Sequence, residues 1–565
     1  MTTAKIIKEW IVKSLDVKDL DFSVEPNTNL KFGDYFCNIA LISAKQISKN
    51  QKDLAVEYKN KLETSFIECV EKIEVAPNGF LNFFLNKEYI RDCLKRTKTG
   101  QDLPDSLKGQ KIIIEYTVTN VLKPMHIGHL MGNIIGESVS RVIQSNGAEA
   151  KRNNYQGDVG LNIAKAIWGL LQKGGKKESL LDEQIKYIGQ AYAYGSMQYE
   201  DSEKAQEEIK EINKKIADKS DQSLMDLYKW GREISLKHFE DLYQKLGTKF
   251  DYYFFESEVV DDAIYIIKEF VKKGVFEESE GATVFHGEKY DMSLHTRVFI
   301  NSQGIPTYEA KDIAHAIRKY KTYKFDKSII VTANEQNEYF KVVLCALSQI
   351  DKNIAEKTMH LSHGMLKLPD GKMGSRKGNI ITGEGLISDV IDLANQKMTD
   401  RDFDQSKKDE IAEMVAIGAI KYSILKQSIG SDIIFDFNKS LSFEGDSGPY
   451  LQYSAVRANS VLKKAKELRL VSSDKIPNGW QTTFLEKELF KFYEIIERSA
   501  LEYSPQYICT YLIKLAGEFN SFYAKEKIAD TEDSNSSYKI FITEVFKETM
   551  QSGLWLLGIK TPEEM

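Results

Sequence analysis

The sequence predicts an α/β core built on a parallel sheet and split by a helical insertion. An α+β module precedes it and an all-α module follows. Three observations lead there. Short apolar runs of strand type alternate with helical patterns at about 109–160 and again at about 290–350. Between these stretches the chain turns helix-rich and charged, as in SEKAQEEIKEINKKIADKS at 202–220. From about 385 to 565 the pattern is almost wholly helical.

Residues 1–108 make the first module. MTTAKIIKEWIVKSLDV reads as an amphipathic helix, interrupted by charge too often for a secretory signal. EKIEVAPNGFLNFFLN (71–86) reads as two strands around a Pro-Asn-Gly turn. KTGQDLPDSLKGQ (98–110) is a polar linker. The core is bounded at 109–435. KIIIEYTV (111–118) is its first strand, NVLKPMHIG a loop, and HLMGNIIGESVSRVIQSNG a helix that Gly147 stops. EAKRNNYQGDVG (149–160) is the next strand and loop. Strand, loop, helix, strand is the opening unit of a parallel sheet. The helical insertion is expected over about 161–290. RVFINSQGIPTYEAKDIAHAIRKY, KSIIVTANEQ and FKVVLCALSQI then resume the alternation, and 436–565 forms the helical module. No internal repeat supports a solenoid.

Composition narrows the class. Hydrophobic residues at 42% and charged residues at 28% are ordinary for a soluble globular chain. A net charge of −6 gives no global positive field, although phosphate contact needs only local positive potential. Five cysteines, an odd number without a C-x-x-C pair, argue against a disulfide framework or a cysteine zinc site. No run of about 18 apolar residues suggests a membrane span. A reducing cytoplasmic setting is expected.

Two stretches carry chemistry. In KPMHIGHLMGN, His126 and His129 bracket Gly128 at the head of a helix. A helix N-terminus has unpaired N–H groups and a positive dipole end, so it suits phosphate. The imidazoles add donors, Gly128 admits a nucleotide close to the backbone, and Lys123 adds positive charge. The same H-x-G-H also fits half-buried histidines satisfied by backbone groups, or a small nucleotidylyltransferase. The second stretch is DGKMGSRKGN (370–379), where Lys372, Arg376 and Lys377 lie among Gly371, Gly374 and Gly378. Such a loop can close over a triphosphate; alone it is equally a solvated basic turn.

Together, in this order, the two resemble the HIGH and KMSKS signatures of class I aminoacyl-tRNA synthetases. EYTVTNVLKPMHIGHL, TYEAKDIAHAI and VTANEQNEYF are similar to the arginyl-tRNA synthetase versions of that family's motifs. FGDYFCNIALISAK with NGFLNFFL, and DSGPYLQYSAVRANSVLKKA with LLGIKTPEEM, resemble its two tRNA-binding ends. The resemblance implies a Rossmann-type catalytic domain, flanked by a D-loop-binding domain and an anticodon-binding domain. It implies ATP, carried with Mg²⁺, L-arginine and an arginine tRNA as partners, a usually monomeric protein and no resident metal. ATP is expected against Pro124, His126, Gly128, His129, Met365, Leu366, Met373 and Ser375. Glu115, Tyr308 and Asp312 are expected around the guanidinium, with Asn120 and Gln336 at the α-amino group. Phe80 and Asn82 are candidates for a tRNA D-loop base; Tyr453, Tyr523 and Met565 are candidates for the anticodon.

A guanidinium is planar, always charged and matched by carboxylates, which fits Glu115 and Asp312 independently of any name. The basic loop departs from the general signature. Gly374 replaces its first serine and Ser375 its second lysine, and Lys123 is expected to compensate. Asp158, in NNYQGDVG, also matches the family, but the sequence assigns it no role.

Overall fold

Five parallel strands organise the larger part of the chain: β1 (Lys111–Glu115), β2 (Glu149–Gln156), β3 (Tyr252–Phe255), β4 (Lys327–Ala333) and β5 (Thr358–His363). Their order is β5-β4-β1-β2-β3, so the chain winds outward from β1 in both directions. A parallel sheet of this kind opens a crevice at the carboxyl ends of its strands, where the order reverses. Here that point lies between β1 and β4. The computed structural model describes residues 2–27, 29–65, 67–101, 103–367, 382–398 and 403–565. The chain divides into two units, Leu107–Leu441 and Met1–Ser106 with Ser442–Met565.

Helix α1 (Ile127–Ser145) crosses from β1 to β2. Its contact with the sheet is so close that a Cβ on Gly136 would lie 2.2 Å from Tyr116 Cγ. Gly136→Ala is therefore expected to cost about 1–3 kcal/mol by overpacking, read as a lower urea midpoint with an unchanged denaturant slope.

After β2 come α2 (Leu161–Gln172), α3 (Leu181–Asp201), α4 (Glu203–Asp218) and α5 (Gln222–Lys245). They pack around Ile163, Ile167, Trp168, Ile188, Ile209 and Leu227. The helical insertion expected over about 161–290 thus needs correcting at its end: helices fill it only to Lys245. Tyr252–Phe255 returns to the main sheet, because its aromatic run pairs with Asn153–Gln156 of β2. Helix α6 (Val260–Val271) follows, then an antiparallel sheet of Glu277–Ser279, Ala282–His286 and Thr296–Ile300. Helices α7 (Tyr308–Thr322) and α8 (Asn337–Ile350) flank β4, and α9 (Gly383–Lys397) and α10 (Gln405–Leu425) close the unit.

The other unit pairs an antiparallel sheet with helices. Val24–Pro26, Tyr35–Cys37, Leu81–Leu85 and Val70–Val75 lie side by side in that order. Five helices from Gly448–Glu467 to Ser536–Leu556 make its C-terminal part. Charged ties join the two parts. Buried Asp34 accepts from Leu85 N–H at 2.8 Å and pairs with Lys487 at 2.9 Å. Lys98 pairs with Glu544 at 2.6 Å.

Candidate active site

The loop between β1 and α1 carries unusual backbone. Thr117, Val118 and Leu122 have φ of 79°, 49° and 60°. Left-handed backbone costs a residue other than glycine roughly 1–2 kcal/mol, and it gathers at functional sites. Fully burying Leu122 contributes about 1.5–3 kcal/mol and offsets its share. Beyond it, Val121 N–H donates to Gly157 O at 2.9 Å, and Gly157 N–H to Thr119 O at 3.0 Å. Gly157 leaves room for the Asn120 side chain: a Cβ there would stand 2.1 Å from Asn120 Oδ1. The loops after β1 and β2 are thereby stitched together, with Asn120 at the seam.

His126 is the N-cap of α1, and its Nδ1 accepts from Gly128 N–H at 3.1 Å. Its remaining N–H is then on Nε2. Gly128 makes room for this fold-back, since a Cβ would sit 3.0 Å from His126 Cε1. His129 stacks on His126 with centroids 3.6 Å apart. Burial, aided by Lys123, pushes His126 down to about 4. Burial, then His126, holds His129 well below its ordinary range. Both rings are neutral at pH 7, so they offer hydrogen bonds and not charge. His129 Nδ1 is buried without a hydrogen-bond partner among the described residues.

The opposite side of the crevice is a set of buried acids. Glu115, at the end of β1, accepts on Oε2 from Asn153 Nδ2 at 2.6 Å, His315 Nε2 at 2.6 Å and Lys319 Nζ at 2.9 Å. Burial opposes its ionisation, but Lys319 and His315 outweigh it and hold the carboxyl well below the usual range. Glu256 pairs with Lys311, yet burial leaves its carboxyl raised. Asp158 accepts from Ser257 N–H at 2.9 Å and Ser257 Oγ at 2.8 Å, from Tyr228 Oη at 3.3 Å and from Arg232 Nε at 3.2 Å. It fastens the loop after β2 to the turn after β3, which supplies the role the sequence left open. Glu309 pairs with Arg297 at 2.9 Å.

Asp312 differs from these four. It accepts from Tyr339 Oη at 2.6 Å and, among the described residues, makes no ion pair. Burial raises it to about 7, against the pull of Tyr339 and with Glu115 and Glu256 adding repulsion. Tyr155 lies among Asp312, Glu256, Glu115 and Asp158, with its hydroxyl buried and without a hydrogen-bond partner among the described residues, and its ring 3.8 Å from that of His315. A carboxylate with no ion-pair partner among the described residues, bonded to Tyr339 and close to Tyr155, suits a planar cation.

The remaining expected residues are placed as follows. Tyr308 is half exposed at the start of α7, with Lys311 Nζ 4.4 Å from its ring centroid. Gln336 is exposed in the turn after β4. Leu366 is buried opposite Ile433, and Met365 N–H donates to Asp432 Oδ1 at 2.9 Å. Lys372, Met373, Ser375, Arg376 and Lys377 lie outside the described residues. The segment that follows them meets the histidine loop: Thr382 bridges His126, and Gly383 N–H donates to Met125 O at 2.8 Å.

In the other unit, Phe80 packs edge-on against Phe36 at 5.5 Å, and Asn82 is buried in its strand opposite Phe36 and Glu74. Tyr453 and Tyr523 come together around Arg457, whose Cζ is 4.8 and 5.2 Å from their centroids. Met565 is half-buried, near where Glu564 pairs with Lys463 at 3.3 Å.

Sequence reasoning missed His315, Lys319, Lys311, Glu256 and Tyr339. A signal existed for three of them: Tyr308, Lys311, Asp312, His315 and Lys319 recur at helical spacing, a polar stripe where an apolar one belongs.

Comparison with known proteins bears on the whole chain. A family model described as class I tRNA synthetases (R), catalytic domain, matches residues 91–437. An arginyl tRNA synthetase N terminal domain matches 1–85, and a DALR anticodon binding domain matches 451–565. An arginine–tRNA ligase of Ligilactobacillus salivarius is 30% identical over 576 residues, spanning 100% of this chain and 99% of that protein. One from Fusobacterium nucleatum is 31% identical over 568 residues, spanning 99% and 97%. The arginyl-tRNA synthetase of Thermus thermophilus superposes with a TM-score of 0.82 at 24% identity, over 100% of both chains, and so shares the fold.

Proposed function

The chain belongs to the arginyl class of class I tRNA synthetases, and from that premise we propose that it joins L-arginine to its tRNA at the expense of ATP. In the first step an arginine carboxylate oxygen attacks the α-phosphorus of ATP. The bond to pyrophosphate breaks and arginyl-adenylate forms. In the second, a ribose hydroxyl of the tRNA's terminal adenosine attacks the acyl carbon and AMP leaves. Little covalent chemistry falls to the protein, which aligns the reactants and stabilises spreading charge.

One observation carries the choice of amino acid: of five acids lining or backing the crevice, only Asp312 has no cation of its own among the described residues. Asp312 takes the guanidinium, with Tyr339 orienting its carboxylate and Tyr308 along the side. Glu115, already held by Lys319 and His315, contributes a fixed negative wall. A lysine substrate presents a point charge that leaves buried acid oxygens unpaired, so it is rejected without an editing step. Asn120 and Gln336 hold the α-amino group.

At the phosphate end, His126 and His129 donate neutral N–H groups to phosphate oxygens at the positive end of the α1 dipole. Lys123 supplies the charge. Lys372, Arg376 and Lys377 are assigned to the departing pyrophosphate, and Pro124, Gly128, Met365, Leu366, Met373 and Ser375 to ATP. Mg²⁺, arriving on ATP, supplies neutralisation of the triphosphate. No cluster of metal-ligating side chains occurs among the described residues. Phe80 and Asn82 are assigned to the tRNA D-loop. Tyr453, Tyr523 and Met565 are assigned to the anticodon. The protein acts as a cytoplasmic monomer on this reading; among the described residues no helix is long and apolar enough to cross a membrane.

The test is ATP–pyrophosphate exchange with arginine, with and without tRNA. Exchange that needs arginine and tRNA together is the expected result. tRNA binding without any exchange supports a non-catalytic paralogue instead.

A further inference from the structure

Lys123 reaches the site from a loop that the helical insertion grips on two sides. Val121 and Leu122 are buried in the insertion's own core with Ile163, Ile167 and Ile188. Leu122 N–H donates to Ser235 Oγ of α5 at 3.0 Å. Its side chain fills the space over Gly231, where a Cβ would stand 2.2 Å from Leu122 Cδ2. From α3, Gly189 approaches Pro124 so closely that a Cβ there would lie 3.2 Å from Pro124 Cγ. Residues three apart share a helix face. Three positions after Gly189, Tyr192 sets its ring centroid 5.5 Å from the Lys123 ammonium.

An aromatic face attracts an ammonium. It also narrows the many rotamers a free lysine would otherwise sample. The bland alternative is that Tyr192 merely covers the helix surface.

We propose that Tyr192 is a positioning residue for arginine activation, holding the Lys123 ammonium at the phosphate end of the site. The helical insertion then does more than interrupt the sheet: it sets the geometry of the lysine that the basic loop, with serine at position 375, does not duplicate. This rests on the functional reading given above.

The experiment measures arginine- and tRNA-dependent pyrophosphate exchange by the full chain. Tyr192→Leu is expected to lower kcat about fivefold to tenfold, with KM for arginine within about twofold of wild type. Tyr192→Phe, which keeps the ring face, is expected to restore kcat to within about twofold. Leucine could disturb α3, so Tyr192→pentafluorophenylalanine is compared with Tyr192→Phe. The two have nearly the same shape, but fluorination reverses the electrostatics of the face, and about a threefold to fivefold loss is expected. In a Lys123→Ala background the Tyr192 variants should cost nothing further. Equal rates for the fluorinated and ordinary rings overturn the proposal, as do losses that simply add to that of Lys123→Ala. A wild-type chain with no arginine-dependent exchange overturns the functional reading itself, and is told apart because it involves no variant.

Discussion

Asp312→Asn is expected to lower kcat/KM for arginine about 10²- to 10³-fold, since it removes one partner of a buried charge pair. It should also abolish a pH dependence that the wild-type protein shows. Burial holds the free carboxyl at about 7. Below that pH it is protonated and offers no charge to a guanidinium, which stays cationic throughout. Because kcat/KM reports the free enzyme, it should fall close to tenfold per pH unit below about 7. The neighbouring histidines do not confuse the profile: His126 lies at about 4, and His129 and His315 are both depressed.

The sign for stability is opposite to that for binding. A carboxyl raised by folding stabilises the ligand-free protein fully below its unfolded pKa of about 3.9, and that contribution is lost as pH rises through about 7. Arginine binding needs the ionised form. The thermal shift produced by arginine should therefore grow between about pH 6 and pH 8, and Asp312→Asn should flatten it. A wild-type kcat/KM that is level across this range would remove Asp312 from guanidinium recognition.

His126-Ile127-Gly128-His129 is legible in the sequence as a helix head because that needs only local chemistry; that Gly128 makes room for the folded-back His126 ring is seen only in the structure. The strand-type runs of β1 and β4 stand out because residues buried on both faces of a parallel sheet are mostly apolar, whereas β2 buries Asn153, Asn154 and Gln156 and carries no such run. Tyr252–Phe255 was absorbed into the helical stretch because four aromatic residues carry no period of their own; only pairing with β2 makes them a strand. The charge partners were illegible for a related reason. Glu115 and Lys319 are 204 residues apart, and Asp158 and Ser257 are 99 apart. Nothing local to either member signals the other. Glu115 was read from the sequence as an acid waiting for substrate; its carboxylate already receives three protein donors.

That pairing makes Lys319 the most consequential residue outside direct substrate contact. It is 1% exposed and Glu115 4%. Lys319→Met keeps the volume but strands a buried carboxylate, which is expected to cost about 3–5 kcal/mol. The pH dependence should invert as well. In the wild type, Lys319 and His315 outweigh the burial of Glu115 and depress its carboxyl. Its stabilising contribution is present above the unfolded pKa of about 4.3 and is lost only as pH falls through the depressed value. Without Lys319, burial dominates and the folded pKa rises above the unfolded one. Stability is then greatest in acid and declines as pH increases, so the deficit in melting temperature should widen between about pH 5 and pH 8. A deficit that stays constant over that range would mean that Glu115 does not depend on Lys319. Buried ion pairs often stabilise no better than a neutral pair of the same shape. Glu115→Gln with Lys319→Met is therefore expected to recover most of the lost stability. If arginine turnover stays depressed in that double variant, the pair serves to keep a carboxylate ionised beside the guanidinium pocket. Turnover recovering together with stability would leave it a purely structural feature.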